Sequence, residues 1–226
     1  MKRIGITGPT GAGKTTALQA LVELDAHIID ADAVYHALLE SSAPLRAALT
    51  VRFGPSIAGF ELTFTGTVLR AELTARFGPS ILDGEGRVNR KALGGVVFGD
   101  PAALAELNAI THRFILAEID RQAAGAEEQG RSAVAIDAIA LIESGLGETC
   151  GAIVGILAPR ELRIRRIMAR EGISEDYARK RVEAQQGDGF FRTHCDYLLE
   201  NRADDTPEAF QARAKQLFEQ ILSNRN

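Results

Sequence analysis

Gly8-Pro9-Thr10-Gly11-Ala12-Gly13-Lys14-Thr15, preceded by the apolar run Arg3-Ile4-Gly5-Ile6-Thr7, is a complete match to the phosphate-loop pattern G-x-x-x-x-G-K-[ST]. The run before it reads as a short buried strand, and Thr16-Ala17-Leu18-Gln19-Ala20-Leu21-Val22 after it reads as a helix. Strand, glycine loop and helix together turn backbone N–H groups toward an anion at a helix N-terminus, where the helix dipole is positive. Residues Gly11, Ala12, Gly13, Lys14, Thr15 and Thr16 are therefore candidates for holding the phosphates of a nucleotide such as ATP. Lys14 supplies a mobile point charge, and the Thr15 hydroxyl is a candidate ligand for Mg²⁺. A glycine turn with no ligand is the bland reading. The completeness of the motif and its strand–helix setting weigh against it.

Working outward, His27-Ile28-Ile29-Asp30 reads as a second strand, running through Ala31-Asp32 into a helix from about residue 33 to 39. Asp30 and Asp32 thus fall at a strand's C-terminal end, the edge that faces the ligand crevice in an open parallel sheet. An acid there can take a proton from a substrate hydroxyl, order a magnesium shell, or merely cap the next helix. Ser132-Ala133-Val134-Ala135-Ile136-Asp137 is an interior strand that also ends on an aspartate, so Asp137 is placed like the second carboxylate that holds Mg²⁺. Ala152 to Leu157 and Cys195 to Glu200 complete a count of five short strands separated by helical segments. That alternation predicts an α/β fold with a five-stranded parallel sheet covered by helices on both faces.

The 226 residues suffice for one domain with subdomains. A single domain is expected, with its core at 1–32, 131–159 and 195–226, a helical substrate-binding region at about 33–130, and a helical lid at about 160–194. A net charge of −4 argues against a general nucleic-acid binder. No apolar run approaches the roughly 20 residues of a membrane span. The N-terminus enters the first strand directly, which leaves no room for a signal peptide. Two cysteines, Cys150 and Cys195, have neither metal nor redox spacing and read as reduced thiols of a cytoplasmic protein.

Residues 45–57 (LRAALTVRFGPSI) and 69–81 (LRAELTARFGPSI) are identical at 11 of 13 positions, a tandem duplication within an insert spanning 45–81. Between the copies, Phe60-Glu61-Leu62-Thr63-Phe64-Thr65 alternates like a strand or hairpin arm, with Phe60 and Phe64 as possible substrate contacts. Asp83-Gly84-Glu85-Gly86 reads as a turn, followed by a helix from about 90 to 98. Asp100-Pro101 signals the start of a long amphipathic helix to about residue 124, and that helix carries His112. From spacing alone His112 reads as a packed or solvated histidine. Between 160 and 183 eight basic residues face five acids, on two helices joined near Gly172. Arg163, Arg166 and Arg170 share one helical face, and Arg181 shares a face with Gln185. Such a hairpin suits a lid that closes over phosphates, or else a solvated salt-bridged surface.

Taken with these motifs, the chain resembles the dephospho-coenzyme A kinases, a P-loop kinase family. The likeness runs through the glycine loop with Ile29-Asp30-Ala31-Asp32, then Gly86-Arg87-Val88-Asn89-Arg90 with Val97-Phe98, and Leu107-Asn108 with Thr111-His112. It continues through Ile136-Asp137 to Gly145, Arg166-Ile167 with Arg170, Arg181-Val182 with Gln185, and Asp196 with Asn201. Asn89, Arg113, Ala138-Ile139-Ala140-Leu141 and Arg163 depart from that family's usual residues. The resemblance implies ATP-dependent phosphorylation of dephospho-coenzyme A by a cytoplasmic monomer that uses Mg²⁺. It implies that Lys14, Asp32 and Arg170 are catalytic, with Asp32 the base on the acceptor. It also places Arg181 and Asn201 at the nucleotide, and Arg90 and His112 on the substrate side. A kinase for another small nucleotide-like acceptor is the near alternative. A GTP-binding switch is the distant one: Asn201-Arg202-Ala203-Asp204 imitates a guanine-reading element, but Asp137-Ala138-Ile139-Ala140 lacks the glycine its companion needs.

Overall fold

In the computed structural model the apolar runs become strands; it describes residues 1–40, 58–97 and 99–224, and the side chains of all of these except 39, 40, 58–67, 90 and 104. The chain forms two compact units, Met1–Asp30 with Ala123–Asn226, and Ala31–Gln122.

The first unit holds β1 (Lys2–Thr7), β2 (Ala26–Asp30), β3 (Ala133–Asp137), β4 (Ala152–Leu157) and β5 (Tyr197–Glu200). Among the described residues they make one five-stranded sheet in the order β2-β3-β1-β4-β5. Every pairing in it is parallel, as the sequence predicts. The register sets Ile6 beside Asp137 and Asp30 beside Asp137, so both strand-ending acids and the loop that follows Thr7 leave the sheet at one edge. The order reverses at β1, which has β3 on one side and β4 on the other, and a ligand crevice opens at such a switch.

Side chains alternate across the sheet. Ile4, Ile6, Val154 and Ile156 pack with Ala17, Leu21, Phe210, Ala214, Phe218 and Ile221 from α1 (Lys14–Glu23) and α9 (Pro207–Ser223). The α9 residues recur at a helical period, which is why one face of that helix is buried. Thr206 caps α9 by accepting from the Ala209 N–H. On the opposite face Gly5 lies under the 138–150 segment. A Cβ at Gly5 would stand 2.6 Å from Leu141 Cδ2 and 3.0 Å from Cys150 Sγ, so only glycine lets that segment lie so close. The Thr7 hydroxyl donates to the Ile139 carbonyl on the same face at 3.1 Å.

Three further helices of this unit follow β4: α6 (Arg160–Glu171), α7 (Glu175–Glu183) and α8 (Asp188–His194). The α6–α7 hairpin has its own small core of Ile164, Ile167, Ala178 and Val182. Ser174 accepts from the Tyr177 N–H and caps α7. Helix α8 has no counterpart in the sequence reading; seven residues with Gly189 inside carry too little periodicity to show.

The second unit is helical: α2 (Ala31–Glu40), α3 (Ala58–Phe77), a 3₁₀ turn at Pro79–Ile81, α4 (Arg90–Val97) and most of α5 (Pro101–Glu128). Asp100 accepts from the N–H groups of Ala102 and Ala103 and starts α5 as expected. The strand expected at 60–65 is a correction: these residues lie within α3. Phe60 and Phe64 are four apart, a spacing that serves a helix as well as a strand, and six residues cannot separate the two periods. Their side chains lie outside the described residues, as does the first duplicate, 45–57. The second duplicate forms the end of α3 and the 3₁₀ turn, with ion pairs from Glu72 to Arg113 and from Arg76 to Glu106. Among the described residues no helix is long and apolar enough to cross a membrane.

Phe218 is fully buried between α9 and the sheet. Phe218→Ala is expected to lower unfolding free energy by about 3–5 kcal/mol, read from the midpoint of urea denaturation. Cys150 and Cys195 are free thiols, and burial pushes both up to about 11. The folded chain therefore keeps these protons to a higher pH than the unfolded chain does. Their contribution to stability is constant below the ordinary thiol value of 9.0 and declines from there toward about pH 11. A Cys150→Ala/Cys195→Ala variant should show a flatter loss of stability across that window than the parent.

Candidate active site

The functional edge of the first unit is built around residues 8–15. Gly8, Gly11 and Gly13 all have positive φ, and Gly13 serves as the N-cap of α1 with no side-chain cap. At Gly13, φ is 106°, and a Cβ would lie 2.3 Å from Asn201 Nδ2, so the position excludes a side chain on two counts. Among the described residues the N–H groups of Gly11, Gly13, Lys14 and Thr15 donate to no protein acceptor. Uncapped N–H groups at the start of a helix are what an anion requires.

The loop's carbonyls, by contrast, are taken. Arg163 Nε donates to Thr10 O at 3.1 Å, and Arg166 Nη1 donates to Gly11 O at 3.1 Å and Ala12 O at 3.4 Å. Asn201 Nδ2 donates to Ala12 O at 3.0 Å while its Oδ1 accepts from Arg166 at 3.2 Å. Burial lowers the pKa of both Arg163 and Arg166 from the ordinary value, without bringing either guanidinium near neutrality.

Lys14 Nζ stands 2.9 Å from Asp137 Oδ1, with the two side chains 14% and 19% exposed. The aspartate expected beside the loop is thus in contact with the loop's own lysine. A cleft of about 430 Å³ opens in front, lined by the 9–16 backbone with Ile139, Arg166, Arg170, Arg181, Asn201 and Phe210. Arg170 and Arg181 both bind Glu171, whose carboxyl is held below the usual range first by the hydrogen bond from Arg170 and then by that from Arg181. The cleft therefore joins Gly11, Ala12, Gly13, Lys14, Thr15, Thr16, Arg170, Arg181 and Asn201, nine of the residues singled out in the sequence, with Asp137 beside them.

The other three belong to the second unit. Asp32 sits exposed in the first turn of α2, where the helix dipole favours a carboxylate. Arg90 opens α4, and its side chain lies outside the described residues. His112 is on α5 with its Nε2 buried and without a hydrogen-bond partner among the described residues. The next residue, Arg113, is committed to the Glu72 carboxylate.

Sequence reasoning missed what Arg166, Gln185 and Asn201 do to the loop. The spacing of Arg163, Arg166 and Arg170 put them on one face, yet it could not show that Arg163 and Arg166 tie down backbone while Arg166 and Arg170 line the cleft. The buried Asn201 side chain, 3% exposed, spends its amide on Ala12 and Arg166.

The sequence pattern of the family described as dephospho-CoA kinase matches residues 2–73 and 60–206. The dephospho-CoA kinase of Dehalococcoides mccartyi is 32% identical over 221 residues, covering 97% of this chain and 99% of that one. A crystal structure from Thermus thermophilus aligns with TM-score 0.67 at 25% identity, over 99% of this chain and 98% of that one. The dephospho-CoA kinase of Campylobacter jejuni aligns with TM-score 0.60 at 23% identity, over 98% of each, and shares the fold.

Gly13→Ala is expected to destabilise the chain by about 1–3 kcal/mol, through the strained φ and the clash with Asn201. In a double-mutant cycle the penalty of Gly13→Ala, measured by thermal melts against an Asn201→Ala background, should be smaller than in the parent but not zero, because the clash is gone and the strain remains.

Proposed function

This chain belongs to the dephospho-CoA kinase family, and from that premise we propose that it moves the γ-phosphoryl group of ATP onto the ribose 3′-hydroxyl of dephospho-coenzyme A, giving coenzyme A and ADP. The bond from the acceptor oxygen to the γ-phosphorus forms, the bond from that phosphorus to the β–γ bridging oxygen breaks, and the hydroxyl proton leaves to a base. The observation that carries the acceptor's identity is a family likeness running along nearly the whole chain. The loop geometry supports the donor half: four N–H groups without a protein acceptor among the described residues, and a lysine at the start of α1, suit a triphosphate.

In this reading Gly11 to Thr16 cradle the phosphates, and Lys14 exchanges its contact with Asp137 for one with them. Arg170 and Arg181 leave Glu171 to neutralise charge on the moving group. Asn201 and Arg166 keep the loop in shape from behind. Asp32 takes the proton of the ribose hydroxyl, and Arg90 and His112 serve the acceptor. The Thr15 hydroxyl and the Asp137 carboxylate are hard oxygen donors of the kind Mg²⁺ takes, and both are placed at the loop. Magnesium, when bound, supplies charge neutralisation on the phosphates. A cytoplasmic monomer fits a chain whose partners in this scheme are small molecules alone.

The acceptor is tested by incubating the protein with MgATP and a panel that includes dephospho-coenzyme A and nucleoside monophosphates. Mass spectrometry should find one added phosphate on dephospho-coenzyme A. Phosphate gained only by another acceptor would replace the substrate, and tight GTP binding with no acceptor-dependent product would replace the enzyme. Lys14→Ala and Asp32→Asn are each expected to lower kcat by about 10²–10⁴ with an unchanged far-ultraviolet circular dichroism spectrum. Turnover of Asp32→Asn at the parent rate would remove the proposed base.

A further inference from the structure

Thr10 is the loop residue most completely held by side chains. Its N–H donates to Gln185 Oε1 at 3.1 Å, its hydroxyl accepts from Gln185 Nε2 at 2.7 Å, and its carbonyl accepts from Arg163 Nε at 3.1 Å. The two side chains are joined in turn, Arg163 Nη2 donating to Gln185 Oε1 at 2.8 Å. All three polar groups of Thr10 thus end on one closed cluster, contributed by α6 and by the residue just past the C-cap of α7.

The cluster is costly to build. Arg163 is 4% exposed, and among the described residues no carboxylate lies within ion-pair distance of it. Asp188 acts on it only at longer range. A buried cation satisfied by an amide and a peptide carbonyl is less stable than an apolar side chain of the same shape, so packing alone does not explain it. Its effect on the loop does. The carbonyl of one peptide and the N–H that follows it point in opposite directions in a trans bond, and among the described residues no peptide bond is cis. With Thr10 O fixed on Arg163, the Gly11 N–H is turned away from Arg163, and it is one of the four without a protein acceptor among the described residues.

We propose that Arg163 and Gln185 are positioning residues for nucleotide binding: as one clamp they fix the Thr10–Gly11 peptide, and so aim the Gly11 N–H at the phosphate chain. The clamp acts on the nucleotide only, and it rests on the reading of residues 8–15 as the ATP loop.

The test measures MgADP binding by calorimetry together with steady-state kinetics. Arg163→Met and Gln185→Met, near-isosteric and apolar, are each expected to weaken MgADP binding about tenfold and to raise KM for ATP by a similar factor. KM for dephospho-coenzyme A should stay within about twofold of the parent. The double variant should be little worse than either single one, because the two side chains act as a unit. Gln185→Glu keeps the acceptor for Thr10 and Arg163 and should recover most of the loss. Thr10→Val removes only the hydroxyl acceptor, and a loss of about threefold or less is expected. Parent-like MgADP affinity in both methionine variants would overturn the clamp, as would equal losses on both substrates that track a lowered melting temperature. A parent protein that binds no MgADP would instead overturn the ATP-loop reading, and the clamp with it.

Discussion

A trans peptide sets its carbonyl and its N–H on opposite sides, and residues 8–15 are organised by that constraint. Carbonyls 10, 11 and 12 are bound from behind by Arg163, Arg166 and Asn201. Holding Thr10 O and Ala12 O behind the loop leaves the N–H groups of Gly11 and Gly13 directed the other way, and the uncapped start of α1 adds those of Lys14 and Thr15. The direction of the loop's N–H groups is thus set by donors bound to its carbonyls. The glycines permit the geometry, and two arginines and an asparagine far along the chain enforce it.

How far this could be read in the sequence follows from the range of each interaction. The loop, the five strands and their acidic ends are local patterns, legible because burial on both faces writes continuous apolar runs and because the glycine–lysine motif is contiguous. The parallel register then places Asp137 beside Ile6, as the expected second carboxylate requires. The buttress was not legible. Asn201 lies 189 residues from Ala12, and Gln185 lies 175 from Thr10, so nothing in their neighbourhoods signals the contact. Helix α3 failed for the opposite reason: its first residues satisfy both periods, and the decisive evidence, Leu69 and Leu73 buried four apart, lies beyond the short window.

Charge in the cleft is balanced internally by acids that can release it. Lys14 rests on Asp137, and Arg170 and Arg181 share Glu171. The pairs to Glu171 are partly solvated, and ion pairs in that setting contribute little to stability. The Lys14–Asp137 pair, mostly buried, would cost more to separate, so in the proposed reading it opens only as a triphosphate supplies charge-assisted contacts in its place. Folding therefore delivers the cations already grouped.

The α6–α7 hairpin shows the same division. Arg163 and Arg166 are turned to backbone and burial lowers their pKa values. Arg170, in the last turn of α6, is 60% exposed and Arg181, in the last turn of α7, is 39% exposed, and their ion pairs stay within the hairpin. Displacing Arg163 or Arg166 would break the bonds to Thr10, Gly11 and Ala12 and disturb the loop; displacing the Arg170 or Arg181 side chain would break only its pair to Glu171. If the hairpin closes over a nucleotide, the free-energy difference between these two sets of bonds holds Arg163 and Arg166 in place and leaves Arg170 and Arg181 able to change partners. The first two then belong mechanically to the phosphate loop, and one arginine-rich hairpin carries both kinds of cation.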